Sequence, residues 1–160
     1  MACVGVIGGL GVGATIHYYE KITASCKARG MVPDLVIAHA DVDYGQGLVR
    51  AGKLDELAGY LASFIDRMAR AGAAAAAIPA VTPHICIAQL TQRTRVPLIN
   101  IVDRLNAAMR KIARMDVTMQ RANQLGTVLK DWTPAEMDTF ARKEVADWGK
   151  VIRDNNITMD

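Results

Sequence analysis

The fold is decided near the N-terminus, where residues 3–15 read CVGVIGGLGVGAT. The run from Cys3 to Ile7 is short, apolar and rich in β-branched side chains, which is typical of a buried strand. Gly8 and Gly9 follow at once and predict a tight turn. Apolar residues then recur at helical spacing, so a helix is expected next. A strand, a glycine turn and a helix in this order indicate an α/β fold.

Strand and helix patterns continue to alternate up to residue 102. Ala73 to Ile78 is ambiguous, because its alanines favour a helix while its length and position favour a buried strand, and we predict a strand. The predicted strands are 3–7, 35–38, 73–78 and 97–102, and the predicted helices lie near 16–26, 54–68 and 83–94, with a turn around Gly45 and Gly47. Helical connections between strands give a parallel sheet. We therefore predict a three-layer α/β fold, a four-stranded parallel sheet with helices on both faces, followed by a C-terminal helical extension.

Helical spacing supports the first two predicted helices. In the first helix Ile16, Tyr19, Thr23 and Cys26 recur at this spacing. In the second helix a single face carries Leu54, Leu57, Ala58, Leu61, Ile65 and Met68, with Asp55, Glu56, Asp66 and Arg67 away from it. Such a stripe is typical of a helix that covers a sheet.

The C-terminal part differs in composition from the rest. Residues 1–115 carry a net charge of +5, residues 116–160 carry a net charge of −2, and both tryptophans lie in the second part. Apolar residues keep a helical period from Leu105 to Ala122, which predicts one long helix across the change. Thr133 to Glu136 form a capping box with proline at the first helical position, which predicts a last helix. We predict two domains, an α/β half-domain over 1–115 and a helical segment over 116–160.

Composition limits the classes of function. With 160 residues, 51% hydrophobic and 22% charged, the chain suits one globular domain, and its net charge of +3 does not indicate a nucleic-acid or membrane partner. Cys3, Cys26 and Cys86 form no closely spaced pair, which is typical of free thiols in the cytoplasm. No signal peptide, membrane-spanning run or metal-ligand spacing is recognisable. We expect a cytoplasmic protein without a metal ion.

Candidate functional residues lie where the strands end. In parallel α/β sheets the ligand binds outside the carboxyl ends of the strands. The candidate segments are therefore Gly8 to Thr15, His39 to Asp43, Ala80 to His84 and Asn100 to Asp103.

The first segment has the G-x-G-x-x-A spacing of a dinucleotide site from Gly9 to Ala14. In that interpretation Asp41 or Asp43 would bind the ribose. Glycines have no side chain, so they let backbone amides approach an anion closely. A turn that binds a substrate carboxylate at a helix N-terminus therefore needs glycines just as a dinucleotide site does. Both interpretations stay open, and we favour a carboxylate and no bound cofactor.

The third segment places Thr82 and His84 near one pocket rim. The alternative is that Thr82 caps a helix and that His84 is a partly buried helical residue. Cys86 lies in the following helix, where a thiol is usually small core filler.

Two of these segments together resemble the aspartate/glutamate racemase family. Val6 to Thr15 is similar to the family's Gly-Gly-Met-Gly-Pro-x-Ala-Thr opening, and Ile78 to His84 is similar to its Ile-Pro-Cys-Asn-Thr-Ala-His segment. Asp34 to Ala38 and Val96 to Asp103 resemble two further strands, so the similarity covers about residues 3–105. The resemblance implies a cofactor-independent amino-acid racemase and a small amino acid or carboxylate as the ligand.

By this resemblance Gly9, Leu10 and Gly11 line the carboxylate side of the substrate. Thr82 would donate to the same carboxylate, and His84 matches the motif histidine, so that these two residues are the candidate catalytic groups. Asp41 remains a candidate substrate-binding residue from its place after the second strand.

The resemblance also implies impaired catalysis. The family's first thiol aligns with Ala80 and its asparagine with Val81, and the second thiol, which comes from a second α/β half, has no counterpart after Asp103. Racemisation without a cofactor needs an acid–base group on each face of the α-carbon. Pairing of two copies into a homo-oligomer would be one way to complete such a site.

The C-terminal segment resembles a different family. Trp132-Thr133-Pro134, the stretch from Trp148 to Asp154 and the final Ile157 to Asp160 are similar to the C-terminus of Bug-type solute-binding proteins of tripartite tricarboxylate transporters. Those proteins bind carboxylates between two lobes that this chain lacks. The resemblance implies a truncated racemase-like part fused to a piece of other origin.

Overall fold

The computed structural model describes residues 2–158, so that Met1, Met159 and Asp160, the last two within the segment that resembles the Bug proteins, lie outside it. The described chain contains one parallel sheet in the order β2-β1-β3-β4. Its strands are β1 (Val4–Gly8), β2 (Leu35–His39), β3 (Ala75–Ala77) and β4 (Leu98–Ile99). The predicted four-stranded parallel α/β fold is confirmed.

Residues 2–158 also contain seven α-helices and one 3-10 helix. They are α1 (Val12–Ala28), α2 (Val42–Arg50), α3 (Leu54–Arg70), the 3-10 helix Thr82–Cys86, α4 (Ile87–Arg93), α5 (Ile101–Ala113), α6 (Asp116–Gln124) and α7 (Pro134–Asp154). The alanine-rich segment that the sequence left ambiguous forms β3, because it pairs with both neighbouring strands.

Helices lie on opposite faces of β1. A Cβ atom added at Gly5 would meet the side chain of Met68 on α3, whereas one added at Gly8 would meet Thr15 on α1. Residues three apart on a strand point to opposite faces. β2 and β3 lie on opposite sides of β1 in the sheet. Right-handed connections in these two directions place their helices on opposite faces.

The core lies on the α3 face of the sheet. Leu61 and Ile65 are fully buried there with Ile7 of β1 and Ala76 of β3. The predicted stripe of α3 is confirmed, with Leu57, Ala58, Leu61, Ile65 and Met68 buried and Leu54 half-buried. The predicted polar face is exposed.

The predicted first helix is confirmed as α1. Of the four residues at helical spacing, Cys26 is buried, Thr23 is half-buried, and Ile16 and Tyr19 are exposed at 53% and 50%. The helical period identified the helix correctly but not the side that meets β1, because the small side chain of Thr15 takes the contact with Gly8.

The turn expected around Gly45 and Gly47 is instead the helix α2. Asp41 starts it, because its carboxylate accepts hydrogen bonds from the backbone N–H groups of Asp43 and Tyr44 at 2.8 and 3.1 Å. Gly45 is buried inside the helix and leaves room for Leu10, whose Cδ2 would lie 3.5 Å from a Cβ atom at that position.

Two further predicted elements have different bounds. The last strand is limited to Leu98–Ile99, because the Asn100 side chain accepts from the N–H of Val102 and the chain enters α5. The helix expected from Pro83 to Thr94 begins as the 3-10 helix and becomes α4 at Ile87.

The single long helix expected from Leu105 to Ala122 is also wrong. α5 ends at Ala113, and Met115 has extended backbone angles (φ −74°, ψ 134°) before α6 starts at Asp116. An acidic residue in the first turn favours a new helix start at that point.

The chain divides into two compact units between Val102 and Asp103. The division lies thirteen residues before the change in composition near 115, and the two-domain assignment from composition stays a prediction. Unit 2 contains the predicted capping box, in which the N–H of Thr133 donates to Glu136 at 2.7 Å and Thr133 Oγ1 accepts from the N–H of Glu136 at 3.3 Å. Within residues 2–158 there is no helix of the length and apolarity that a membrane crossing needs.

Candidate functional site

Three strand ends of unit 1 surround one small cavity of about 40 Å³. Leu10 reaches it from the segment after β1, Gly45 and Gln46 from α2 after β2, and Thr82 and Pro83 from the segment after β3. Buried Gly45, Leu57 and Pro83 form its floor, and exposed Gln46 and Thr82 lie at its mouth. The structure therefore brings together Leu10 and Thr82, two of the predicted site residues.

Gly9 holds the turn after β1 in a conformation that only glycine adopts easily. Its φ angle is +88°, and an added Cβ atom would lie 2.1 Å from the carbonyl oxygen of Ala40. The N–H of Ala40 donates to the carbonyl of Gly8 at 2.9 Å, so the turn packs directly on the end of β2. This close approach is the physical reason for the glycines that the sequence analysis singled out.

The N-terminus of α1 opens from this turn without a side-chain cap. Gly11 is the N-cap residue, and the first turn carries no acidic side chain. The first intrahelical bond runs from the N–H of Thr15 to the carbonyl of Gly11 at 2.9 Å. The N–H groups of the preceding residues have no partner inside the helix, and together with the helix dipole they favour a bound anion.

Asp41 has a structural role at the start of α2. Its Oδ1 accepts the two backbone N–H groups described above, and its own N–H donates to the Tyr60 hydroxyl at 2.7 Å. The predicted role of Asp41 with a substrate or a ribose stays a prediction.

Thr82 and His84 lie on the 3-10 helix after β3. Thr82 is exposed and is not the N-cap residue, which is Val81. The His84 ring is buried, and its Nδ1 lies 2.9 Å from the carbonyl oxygen of Ala80. A carbonyl only accepts hydrogen bonds, so Nδ1 carries a hydrogen and donates it to Ala80. The bond holds the ring against the backbone of the segment that joins β3 to Thr82.

No thiol is available at the mouth of the cavity. Cys86 is fully buried and donates from Sγ to the carbonyl of Pro83 at 3.2 Å, and burial raises the pKa of its thiol. Cys3 stands at the opposite end of β1, where desolvation and a hydrogen bond with Asp34 raise the pKa of its thiol. Cys26 is buried in the last turns of α1. The interpretation of Cys86 as core filler is confirmed.

The sequence analysis missed the contribution of α2. Val42, Gly45 and Gln46 line the cavity, but two glycines in six residues indicated a turn. The signal that identifies the helix is Asp41 followed by an acidic residue in the first turn, a common helix start. Among residues 2–158, no three His, Cys, Asp or Glu side chains are grouped closely enough to hold a metal ion.

The parallel sheet, the glycine turn at its carboxyl edge and the small cavity beside that turn define an α/β domain with a candidate ligand site. The chain belongs to the Asp/Glu/hydantoin racemase family, whose profile matches residues 7–134. The family match extends beyond residue 105, where the similarity predicted from the motifs ends.

Several solved structures have a similar fold, and they include the following two. One is a candidate Asp/Glu racemase from Yersinia pestis, with a TM-score of 0.64, 19% identity and 79% of this chain covered. This chain spans 63% of that protein's length. The other is an aspartate racemase homologue from Pyrococcus horikoshii OT3, with a TM-score of 0.61, 19% identity and coverage of 89% of this chain and 69% of the other. A search of curated protein sequences finds no match.

Proposed function

We propose that unit 1 binds a small carboxylate or amino acid at the carboxyl edge of its sheet and that it is impaired as a racemase. The observation that carries the proposal is the uncapped N-terminus of α1, with the Thr82 hydroxyl nearby at the mouth of the cavity that Leu10 also lines. Backbone N–H groups at that end and the Thr82 hydroxyl supply donors for one carboxylate. Membership of the racemase family supports the same class of ligand.

Impairment follows from the residues around the bound α-carbon. Ala80 stands where the family's thiol is expected, and its methyl group can neither remove nor return a proton. Cys86 is close in sequence, but its thiol is buried with a raised pKa, so it supplies no thiolate at neutral pH. The catalytic roles predicted for Thr82 and His84 are therefore proposed as substrate orientation and hydrogen bonding.

We expect no exchange of the α-proton of aspartate or glutamate for deuterium when either is incubated with the protein in heavy water. Proton NMR of the α-position measures this directly. The Ala80→Cys variant should also be inactive, because the opposite face of the α-carbon still lacks an acid–base group. Exchange by the unmodified protein above the rate without protein would contradict the proposal.

Thr82→Val should weaken carboxylate binding by about 10- to 100-fold, which corresponds to one hydrogen bond to a charged group. Titration with glycine, followed by amide chemical shifts of residues 9–14, measures the affinity. Thr91→Val on α4 is the matched control, since Thr91 is exposed and its hydroxyl bonds only to its own helix, at the carbonyl of Ile87. Equal loss in both variants would show that Thr82 does not contact the carboxylate.

Several finer predictions accompany this proposal. The three cysteines are free in the structure, which supports a reducing, cytoplasmic location. The fusion with a Bug-type segment over 116–160 stays a prediction, and the family match up to residue 134 extends into that segment. Homo-oligomerisation also stays a prediction.

A further inference from the structure

The cavity beside Thr82 carries no positive charge. Its walls are the aliphatic side chains of Leu10, Val42, Val49 and Leu57, and its polar groups are the Gln46 amide and the Thr82 hydroxyl. A side chain that enters it meets hydrocarbon and neutral dipoles. Burial of a carboxylate in such a place is costly, because nothing there replaces its hydration with an opposite charge.

Negative charge lies next to the cavity. Asp41 and Asp43 flank the wall residue Val42 in sequence, and both are exposed at the start of α2. The charge of Asp41 is partly balanced by the two N–H groups that it accepts, but neither carboxylate has an ion pair with a Lys or Arg side chain in the described part of the chain. A second carboxylate on the ligand would therefore be repelled here.

The volume of the cavity limits the size of its occupant. About 40 Å³ corresponds to roughly three water-sized groups. An amide group and an isopropyl group each contain three non-hydrogen atoms. The valine side chain therefore fits when the Cα atom lies near Thr82, and the asparagine amide fits when the Cβ atom lies there. A carboxylate has the same shape as the amide and differs from it only in charge.

We propose that this cavity determines ligand specificity by accepting a short neutral side chain and rejecting an acidic one. The inference rests on the proposed binding of the ligand carboxylate between the α1 N-terminus and Thr82. It assigns Gln46 to the recognition of polar neutral side chains and Gly45 to the space that they occupy. The preferred ligands are then small neutral amino acids, and aspartate is disfavoured in spite of the similarity to Asp/Glu racemases.

The first test compares asparagine, aspartate and glycine by calorimetric titration of the full chain. Asparagine should bind at least about tenfold more tightly than aspartate, since a penalty of ~1.4 kcal/mol already gives that factor. Glycine has no side chain, so its affinity measures binding at the carboxylate site alone. If glycine binds but the affinity for aspartate equals or exceeds that for asparagine, the specificity proposal is overturned and the proposed function stands. If none of the three binds, both are overturned.

The second test fills the cavity. In Gly45→Ala the added methyl group would lie 3.5 Å from Leu10 and 4.0 Å from Leu57, at ordinary packing distances, so the protein should fold normally. We expect the affinity for asparagine and for valine to fall about tenfold, the usual effect of one methyl group too many in an apolar pocket. The affinity for glycine should not change. Gly47→Ala is the control, because it lies on the same helix and an added Cβ there meets nothing within 4 Å.

The two glycine variants separate packing from helix stability. Both replace a helical glycine with alanine and should raise the stability of α2 alike. Loss of asparagine binding in Gly45→Ala alone supports the specificity proposal. Unchanged asparagine binding in Gly45→Ala, or an equal loss in Gly47→Ala, would show that the side chain lies elsewhere.

Discussion

Gly9→Ala is expected to lower the free energy of unfolding by about 2–5 kcal/mol, a large part of the stability of an ordinary domain. A conformational and a steric free-energy cost add at this position. The φ angle of +88° is unfavourable for alanine, and the new Cβ atom would lie 2.1 Å from the carbonyl oxygen and 2.9 Å from the nitrogen of Ala40. Backbone cannot move aside as a flexible side chain does, so the joined ends of β1 and β2 must separate.

Chemical denaturation of the full chain measures this loss, and two further variants separate its causes. Gly72→Ala has a φ angle of +96° with nothing within 4 Å of the added atom, so it should show the conformational cost alone, about 1–2 kcal/mol. Gly13→Ala lies in α1 in open space and should stabilise the protein by about 0.5–1 kcal/mol. A Gly9→Ala variant no less stable than Gly72→Ala would contradict the steric argument.

Ile65→Ala is expected to lower the free energy of unfolding by about 2–5 kcal/mol. Ile65 is fully buried on α3 within the core that joins this helix to the sheet. Removal of three carbon atoms loses their transfer free energy and leaves a space that the rigid neighbours fill only in part. The loss should appear as a lower denaturation midpoint with an unchanged slope.

Ile16→Ala is the matched control for this core variant. Ile16 also lies in a 17-residue helix, but its side chain is 53% exposed. We expect a change within about 1 kcal/mol, because little packed surface is lost and alanine favours the helix. Equal effects of the two substitutions would mean that α3 is not the helix that holds the core of unit 1.

Sequence patterns predicted the fold where one physical signal dominated. The first strand and its glycine turn, the buried stripe of α3 and the capping box at Thr133 all follow from such signals, and the structure confirms them. The pattern failed for α2, because two glycines close together are typical of a turn, whereas here they lie inside a helix that Asp41 caps. The spacing of Ile16 and its partners identified α1, but periodicity does not show which side of a helix meets the sheet.

The candidate site was predictable to a similar extent. The rule that ligands bind at the carboxyl edge of a parallel sheet placed Leu10 and Thr82 among the candidates, and both line one cavity. Gly45 and Gln46 were missed because their helix was not predicted. The capping role of Asp41 was also missed, because a carboxylate after a strand has the same sequence appearance in a cap and in a ligand site.

The hydrogen bond between His84 and the carbonyl of Ala80 determines which ligand groups this histidine accepts. With a hydrogen at Nδ1 held by that carbonyl, Nε2 is the ring nitrogen that remains for another partner. A ligand ammonium or hydroxyl group supplies the hydrogen for a bond to Nε2, whereas a carboxylate has none to supply. The bond to Ala80 therefore favours ligands that present a hydrogen-bond donor to His84.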